Sequence, residues 1–385
     1  MIHLSKFTPW HAILLQFWWL YCICTIIPTS TSFGLREVSS RVINVKQNAL
    51  SAASLTPPLL VTFDLDDTLF PVAKVIEDSN RILIQSLHAF GYTHTTVERF
   101  IESTKSIRTH FETHSNNTLR YTDIRKLAIQ YEIMKHDCTS SDSSFPFNIL
   151  PTSIQVLPQY EEMIDSIYTQ WEMERHVSAE RHLYPEAICM LQQIQTQFPS
   201  CVLGAITNGK GNPLHMVHTL KPYFDFCISG EDDTVFPYRK PHAKIFQAAY
   251  DYAQEIFIQR YYQQQGEDDD DEEKSLTFNH SLFWIHVGDD LCNDIAASIA
   301  CGAKGAIWVD LQPQYGQTSN KRFILPQEEK QQEQQPSWST LSKIEIEKRR
   351  LLSKDILQQV SADTVKRIDT LVNIPQVLVE WIQRL

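Results

Sequence analysis

Basic residues are in short supply. The 385-residue chain has 34 Lys and Arg against 46 Asp and Glu, a formal net charge of −12. A dedicated nucleic-acid binder needs clustered Lys and Arg facing phosphates, so this balance argues against that class. One run, Glu267–Glu273 (EDDDDEE), supplies seven of the twelve excess negative charges, so the excess is mostly local. Cysteine is also sparse. The eight are scattered, and Cys138, Cys189, Cys201, Cys227, Cys292 and Cys301 show no C-x-x-C spacing, which argues against a disulfide scaffold or a thiolate metal site. Cys201 and Cys227 fall in apolar runs and read as small core residues. Apolar residues make up 43% and charged residues 21%, ordinary globular usage rather than that of a disordered or polytopic membrane chain. At roughly 150 residues per domain, the length allows two to three domains.

The front end reads as an address. Residues 1–32 hold a short head with Lys6, an apolar stretch Ala12–Ile27, and a small polar tract from Pro28 to Ser32. This is the plan of a signal peptide or a signal anchor. The stretch is about 16 residues, short for a bilayer span of about 20. Residues 33–56 are rich in Ser and Ala, with Arg36, Arg41 and Lys46 basic and Glu37 acidic, which is transit-like in composition. A signal peptide followed by such a stretch resembles the two-part presequence of algae with complex plastids, where a Phe follows the cleavage point, as Phe33 follows Ser32 here. A plain disordered linker is the other reading. The chain is therefore expected to enter the secretory pathway, destined for a plastid or for secretion or the endoplasmic reticulum. A membrane is a partner only if the segment is retained as an anchor. Asn116 and Asn279 stand in glycosylation sequons, which are too common to decide anything.

From about Pro57 the chain alternates. Leu59–Phe63, Cys201–Ile206, Phe226–Ser229, Leu282–Val287 and Gly305–Val309 are short apolar runs without polar alternation, as buried parallel strands are. Helical patterns at Pro185–Thr196, Pro213–Leu220, His242–Gln259 and Asn293–Ala300 lie between them. The expected fold is α/β, a doubly wound parallel sheet with right-handed crossovers. The gap between the first two strands is too long for one crossover. Its helical patterns, Ile76–Phe90, Thr96–Arg108, Tyr121–His136 and Tyr160–Val177, imply a helical cap inserted over residues 72–182. The core is then 57–71 and 183–385, with solvated low-complexity loops at 263–274 and 312–345. Asp363–Leu385 reads as a short strand end and a closing amphipathic helix.

Ligands in doubly wound sheets bind beyond the carboxyl ends of the strands, and acidic residues gather there. The first strand runs into Asp64-Leu65-Asp66-Asp67-Thr68, and the fourth into Gly288-Asp289-Asp290, with Asp294 a turn later. Carboxylates packed together repel and raise each other's pKa values. A divalent cation relieves this, and oxygen-only ligands suit magnesium. The second strand ends in Thr207-Asn208-Gly209, and Lys240-Pro241 follows the third. A hydroxyl, backbone amides and an ammonium beside a metal make a phosphate cradle.

This set resembles the haloacid dehalogenase-like hydrolases. The four motifs occur in order: DxDxT at Asp64–Thr68, the strand-end Thr207, Lys240 in RKPHAKIF, and GDxxxxD at Gly288, Asp289 and Asp294. The resemblance covers about Leu59 to Asp310 and the closing segment. One departure is His242, where an Asp is usual. The resemblance implies that Asp64 is the nucleophile and Asp66 the general acid and base. Thr207 and Lys240 would hold the phosphoryl oxygens, while Asn208 reads either as a phosphate contact or as the cap of the following helix. Asp64, the Asp66 carbonyl and Asp289 would hold Mg2+. Thr68 would brace the turn, and Asp294 would orient Lys240 or a metal-bound water. Asp66 is absent from the true dehalogenases, so it favours phosphate-ester hydrolysis. The expected function is a magnesium-dependent phosphatase acting on a small phosphorylated metabolite, by way of an aspartyl-phosphate. The alternatives are another activity of the family, such as a nucleotidase, or a catalytically silent binding protein on the same fold. Asp67 and Asp290, beside the motifs, read as solvated or turn residues. Arg99, Arg108 and Arg125 are candidates to reach a second anionic group on the substrate. The histidines of the insert, His88, His94, His110 and His114, are too scattered to be ligands.

Overall fold

A computed structural model describes residues 58–114, 118–140, 155–265, 281–318 and 362–384. All lie in a unit spanning Pro57–Leu385. The signal-like and transit-like segments, Asn116 and Asn279 of the sequons, the acidic run and the Gln/Glu tract lie outside the described residues.

Six strands form one parallel sheet: β1 (Leu59–Phe63), β2 (Val202–Thr207), β3 (Phe226–Ser229), β4 (Phe283–Gly288), β5 (Gly305–Val309) and β6 (Val365–Ile368). Their order is β3-β2-β1-β4-β5-β6. The two central neighbours of β1 are in register through Phe63, which stands beside Ala205 and Val287. The largely apolar sequences of β1, β2 and β4 follow from burial on both faces, with every residue buried. Along β1 the side chains alternate between two cores. Leu59, Val61 and Phe63 pack with α5 (Ala187–Gln197) and α8 (Ile374–Ile382) on one face. Leu60 packs with α6 (Ala243–Gln265) and α7 (Ala297–Ala300) on the other. Each fully buried aliphatic or aromatic side chain contributes about 1.5–3 kcal/mol. Gly204 is required for fit, because a Cβ there would stand 2.1 Å from the Phe226 ring.

Four helices lie between β1 and β2: α1 (Val72–Ala89), α2 (Val97–His114), α3 (Tyr121–Ser140) and α4 (Glu161–Arg181). α1 packs along α4, and α2 along α3. Their inward residues, among them Leu83, Leu87, Phe100, Ile107, Leu127 and Trp171, form an apolar cluster separate from the two that flank the sheet. Polar ties reinforce the α1–α4 pair. The Trp171 indole donates to Asn80 at 3.1 Å, and Asp78 accepts from Ser178 at 2.8 Å and Arg181 at 2.9 Å.

Three expectations need correction. Pro213–Leu220 is not an α-helix: only a 3-10 turn forms at Pro213–His215, where the Asn212 side chain accepts from Leu214 N and closes the turn at once. Gln263–Gln265 belong to the end of α6, not to a loop. The start of the 312–345 stretch is also packed. After a 3-10 turn at Pro313–Tyr315, the buried Gln317 side chain donates to the carbonyls of Asp67 and Val309. Among the described residues no helix is long and apolar enough to cross a membrane.

Candidate active site

The site lies where β1 and β4 end side by side. Asp64 continues β1, its N–H donating to Val287 O at 2.8 Å, so its carboxyl emerges directly beyond the sheet. The chain then folds into a tight turn, with Thr68 and Leu69 N–H groups donating to Leu65 O. Asp67 takes a left-handed φ of 61°, a conformation that Asp tolerates better than most residues. It was expected to be solvated or a simple turn residue; it is a turn residue, but fully buried. One of its carboxylate oxygens accepts Val72 N at 2.8 Å and so completes the start of α1, which has no side-chain cap of its own. The other accepts the Thr318 N–H and hydroxyl.

Lys240 organises the acids. Its buried ammonium donates to Asp64 at 2.5 Å and to Asp294 at 2.7 Å. The Thr68 hydroxyl stands between Asp64, at 3.4 Å, and Asp289, at 3.1 Å. Asp294 also accepts Asp290 N at 3.0 Å. Asp290, the other residue expected to be solvated or in a turn, is buried and caps the following π-helical turn Leu291–Ala296 through Cys292 N and Asn293 N. Gly288 is needed because a Cβ there would fall 2.4 Å from the Asp294 Cβ. Behind the cluster a buried polar chain crosses the sheet. The Trp284 indole donates to the Thr62 hydroxyl, which meets His286 Nδ1 at 2.8 Å. The other nitrogen of His286 faces Asp294 at 3.6 Å.

The electrostatics follow from burial. Burial pushes the Asp64 carboxyl up to about 7, against the pull of Lys240 and with Asp294 and Asp66 adding to the rise. Burial, with Asp294, Asp64, Asp67 and Asp290 nearby, holds Asp289 well above the usual carboxylate range. Burial acts on Asp294 in the same sense, yet Lys240 and His286 hold it down to about 2. Burial opposes the charge on Lys240, but Asp294 and Asp64 outweigh it and keep the amine an ammonium. Burial also lowers His286, against the pull of Asp294.

A cation fits here. Oxygens of Asp64, Asp289 and Asp294 lie within 4.8 Å of one another. One Asp289 oxygen is buried with no hydrogen-bond partner. Two carboxyls forced toward neutrality, an orphaned oxygen and an all-oxygen donor set match the needs of magnesium. Asp294 is already engaged by Lys240 and Asp290 N, which leaves Asp64 and Asp289 as the side chains to hold the ion.

Thr207 ends β2 almost fully buried, and its hydroxyl accepts Gly209 N at 3.3 Å. The Asn208 side chain does not face the cluster. It is clasped to the Lys240 backbone, accepting Lys240 N at 2.7 Å and donating to Lys240 O at 3.1 Å. Its side chain therefore anchors the Lys240 backbone. The Asp66 side chain meets Arg175 of α4, whose Nη2 is 2.8 Å from both carboxylate oxygens. Sequence reasoning missed Arg175. The one signal it offers is its place four residues after Trp171, on the buried face of α4. It also missed Glu231, just after β3. This carboxylate accepts Tyr121 N and Thr122 N at the start of α3, the Thr122 hydroxyl, and Arg239 at 2.6 Å. Of the arginines singled out in the insert, Arg99 is exposed and donates to His94 O. Arg108 is buried beside Tyr121, and Arg125 stacks on Trp171 at 3.5 Å.

No family model and no curated protein matches the chain. Solved structures do match. A 2-haloacid dehalogenase from Pseudomonas syringae pv. Tomato DC3000 is 20% identical, with a TM-score of 0.47, over 84% of this chain and 99% of that one. A predicted phosphoglycolate phosphatase from Haemophilus somnus 129PT is 15% identical, with a TM-score of 0.39, over 84% and 100%. A HAD phosphatase from Thermococcus onnurineus is 16% identical, with a TM-score of 0.36, over 83% and 97%. The chain is similar to haloacid dehalogenase-like hydrolases. The four motifs that carry the resemblance in sequence fall at the carboxyl ends of β1, β2 and β4 and in the segment after β3.

Proposed function

We propose that the chain is a magnesium-dependent phosphatase of the haloacid dehalogenase-like kind, acting on a small phosphorylated metabolite. The observation that carries this reading is the buried Asp64–Lys240–Asp294 bridge beside the partnerless oxygen of Asp289. It offers a carboxylate nucleophile, a fixed positive charge and a cation site at one end of the sheet. The Asp64 oxygen attacks phosphorus, the bond from phosphorus to the ester oxygen breaks, and Asp66 delivers a proton to the leaving alcohol. Asp66 then takes a proton from water as the water attacks the aspartyl-phosphate, which releases inorganic phosphate and regenerates Asp64. Lys240 and the Thr207 hydroxyl offset the charge on the phosphoryl oxygens throughout. Magnesium, held by Asp64, Asp289 and the Asp66 carbonyl, would supply further neutralisation of phosphoryl charge. Asn208 serves by fixing the Lys240 backbone.

A silent binding protein is the weaker reading, because it has no use for an acid and a base beside a nucleophile. A nucleotidase is a narrower form of the same chemistry. Residues 1–56 would carry the chain into the secretory pathway and on to a plastid or outward; a fluorescent fusion of residues 1–60 tests this by where it accumulates. For the activity, the purified chain is assayed against a panel of phosphate esters with and without magnesium. Turnover that needs both magnesium and Asp64 is expected. No turnover of any ester, or full activity in Asp64→Asn, would sink the reading.

A further inference from the structure

Above Asp66 the cap presents positive charge without matching negative charge. Arg125 on α3 makes no hydrogen bond or ion pair among the described residues, and its Nε is buried and unpartnered. Its one close contact is with the Trp171 ring, 3.5 Å from the ring centre. Arg175 lies over the same ring at 6.0 Å, and its own Nε also has no partner. The acid whose field reaches Arg125 is Glu231, and it is saturated: each of its two oxygens already accepts two donors. Arg175 has only Asp66, shared through a single nitrogen. Burial, reinforced by the like charges of Arg175 and Arg108, pulls Arg125 down to about 10, so the guanidinium stays charged where charge is disfavoured. A partly buried guanidinium without an anion is unfavourable unless something supplies one. The planar fork of each arginine suits a carboxylate or a phosphate.

We propose that Arg125 and Arg175 form a second anion-binding subsite in the cap, so that the substrate is a phosphate monoester bearing a further anionic group. This rests on the phosphatase reading. The reacting phosphate would lie against Asp64 and Lys240, and the second anion would lie against the cap arginines beside Trp171. Such a substrate would also bridge cap and core, and so hold the cap closed over the reacting atoms.

The test uses matched esters that differ only in the second charge. One pair is 3-phosphoglycerate and glycerol 3-phosphate, and the other is fructose 1,6-bisphosphate and fructose 6-phosphate. Binding is measured by calorimetry with magnesium in full-length Asp64→Asn, which cannot form the aspartyl-phosphate. The doubly anionic member of at least one pair is expected to bind about ten-fold tighter or more, the scale of one charge-assisted contact. Which pair shows the preference separates a carboxylate from a second phosphate. Adding Arg125→Gln should bring that ratio close to one, and Arg125→Lys should give an intermediate ratio. If Arg125→Gln shows no cooperative unfolding transition, the Arg125→Lys ratio decides. Equal binding within both pairs, or a preference that survives the arginine substitutions, would overturn the subsite and leave the phosphatase reading standing. Binding of no ester at all would overturn both.

Discussion

Arg175, on α4, the last of the four helices between β1 and β2, donates through one nitrogen to both carboxylate oxygens of Asp66 at 2.8 Å. The contact joins two residues 109 positions apart in the chain. It ties the candidate acid directly to the inserted helices. Arg175→Gln is expected to lower kcat/KM by about ten-fold or more, the scale of one lost charge-assisted hydrogen bond. Arg175→Lys should recover part of the loss, since it restores charge without the planar fork. Steady-state kinetics on any turned-over ester checks this. An unchanged kcat/KM in Arg175→Gln would rule out a positioning role.

Lys240 neutralises two carboxylates that are themselves buried. Removing it as Lys240→Met leaves Asp64 and Asp294 uncompensated. A loss of about 3–5 kcal/mol in folding stability is expected, as when one partner of a buried ion pair is deleted. Activity should vanish with it. Urea unfolding near neutral pH gives the number, and a loss under 1 kcal/mol would contradict the buried-bridge description.

Burial acts to raise the Glu231 carboxyl, but Arg239 and the amides of Thr122 and Tyr121 outweigh it and hold it below its ordinary value of 4.5. Glu231 therefore binds a proton less readily in the folded chain than in the unfolded one. Its contribution to stability is complete above the unfolded value and is lost as pH falls through the lower folded value. In Glu231→Gln, which has no carboxylate to titrate, the denaturation midpoint should fall less steeply with acidification below about pH 4.5 than in the native chain. Parallel pH profiles for the two chains would refute the assignment.

Without a cation, Asp64 is held up to about 7 and Asp289 well above the usual carboxylate range, burial being the main cause in both. Magnesium binding should therefore release protons near pH 6, because the ligands must be ionised to hold it. Calorimetric titration of magnesium in two buffers of different ionisation enthalpy measures the release. Asp289→Asn should weaken magnesium binding and reduce the number of protons released.

The fold was legible because its strands are buried on both faces. β1, β3 and β5 stand where their uninterrupted apolar runs end in sequence, and β2 and β4 are displaced by one residue. β6 was visible only as a strand end, since its middle residues Lys366 and Arg367 are exposed. The acids at the ends of β1 and β4 and Lys240 were legible as local patterns, and the structure brings them together. What could not be read depends on distant segments meeting. Arg175 acquires its place only when α4 docks, Glu231 only when the start of α3 reaches it, and the burial of Asp67 only when Thr318 arrives. Asn208 shows the converse limit: its neighbourhood suggested a phosphate contact, but the backbone of Lys240 takes its side chain.

The Glu231 contact has a mechanical side. The first turn of α3 lacks intrahelical partners for its leading amides, as every helix does, and here the carboxylate that satisfies Tyr121 N and Thr122 N belongs to the core. Finishing that helix and docking it on the core are thus one event. Any opening motion that withdraws α3 from the core must leave a frayed helix end to water and expose a stripped carboxylate with its arginine. The inserted helices are fastened to the core mainly through backbone amides, with the Thr122 hydroxyl as the side-chain donor that α3 adds to Glu231.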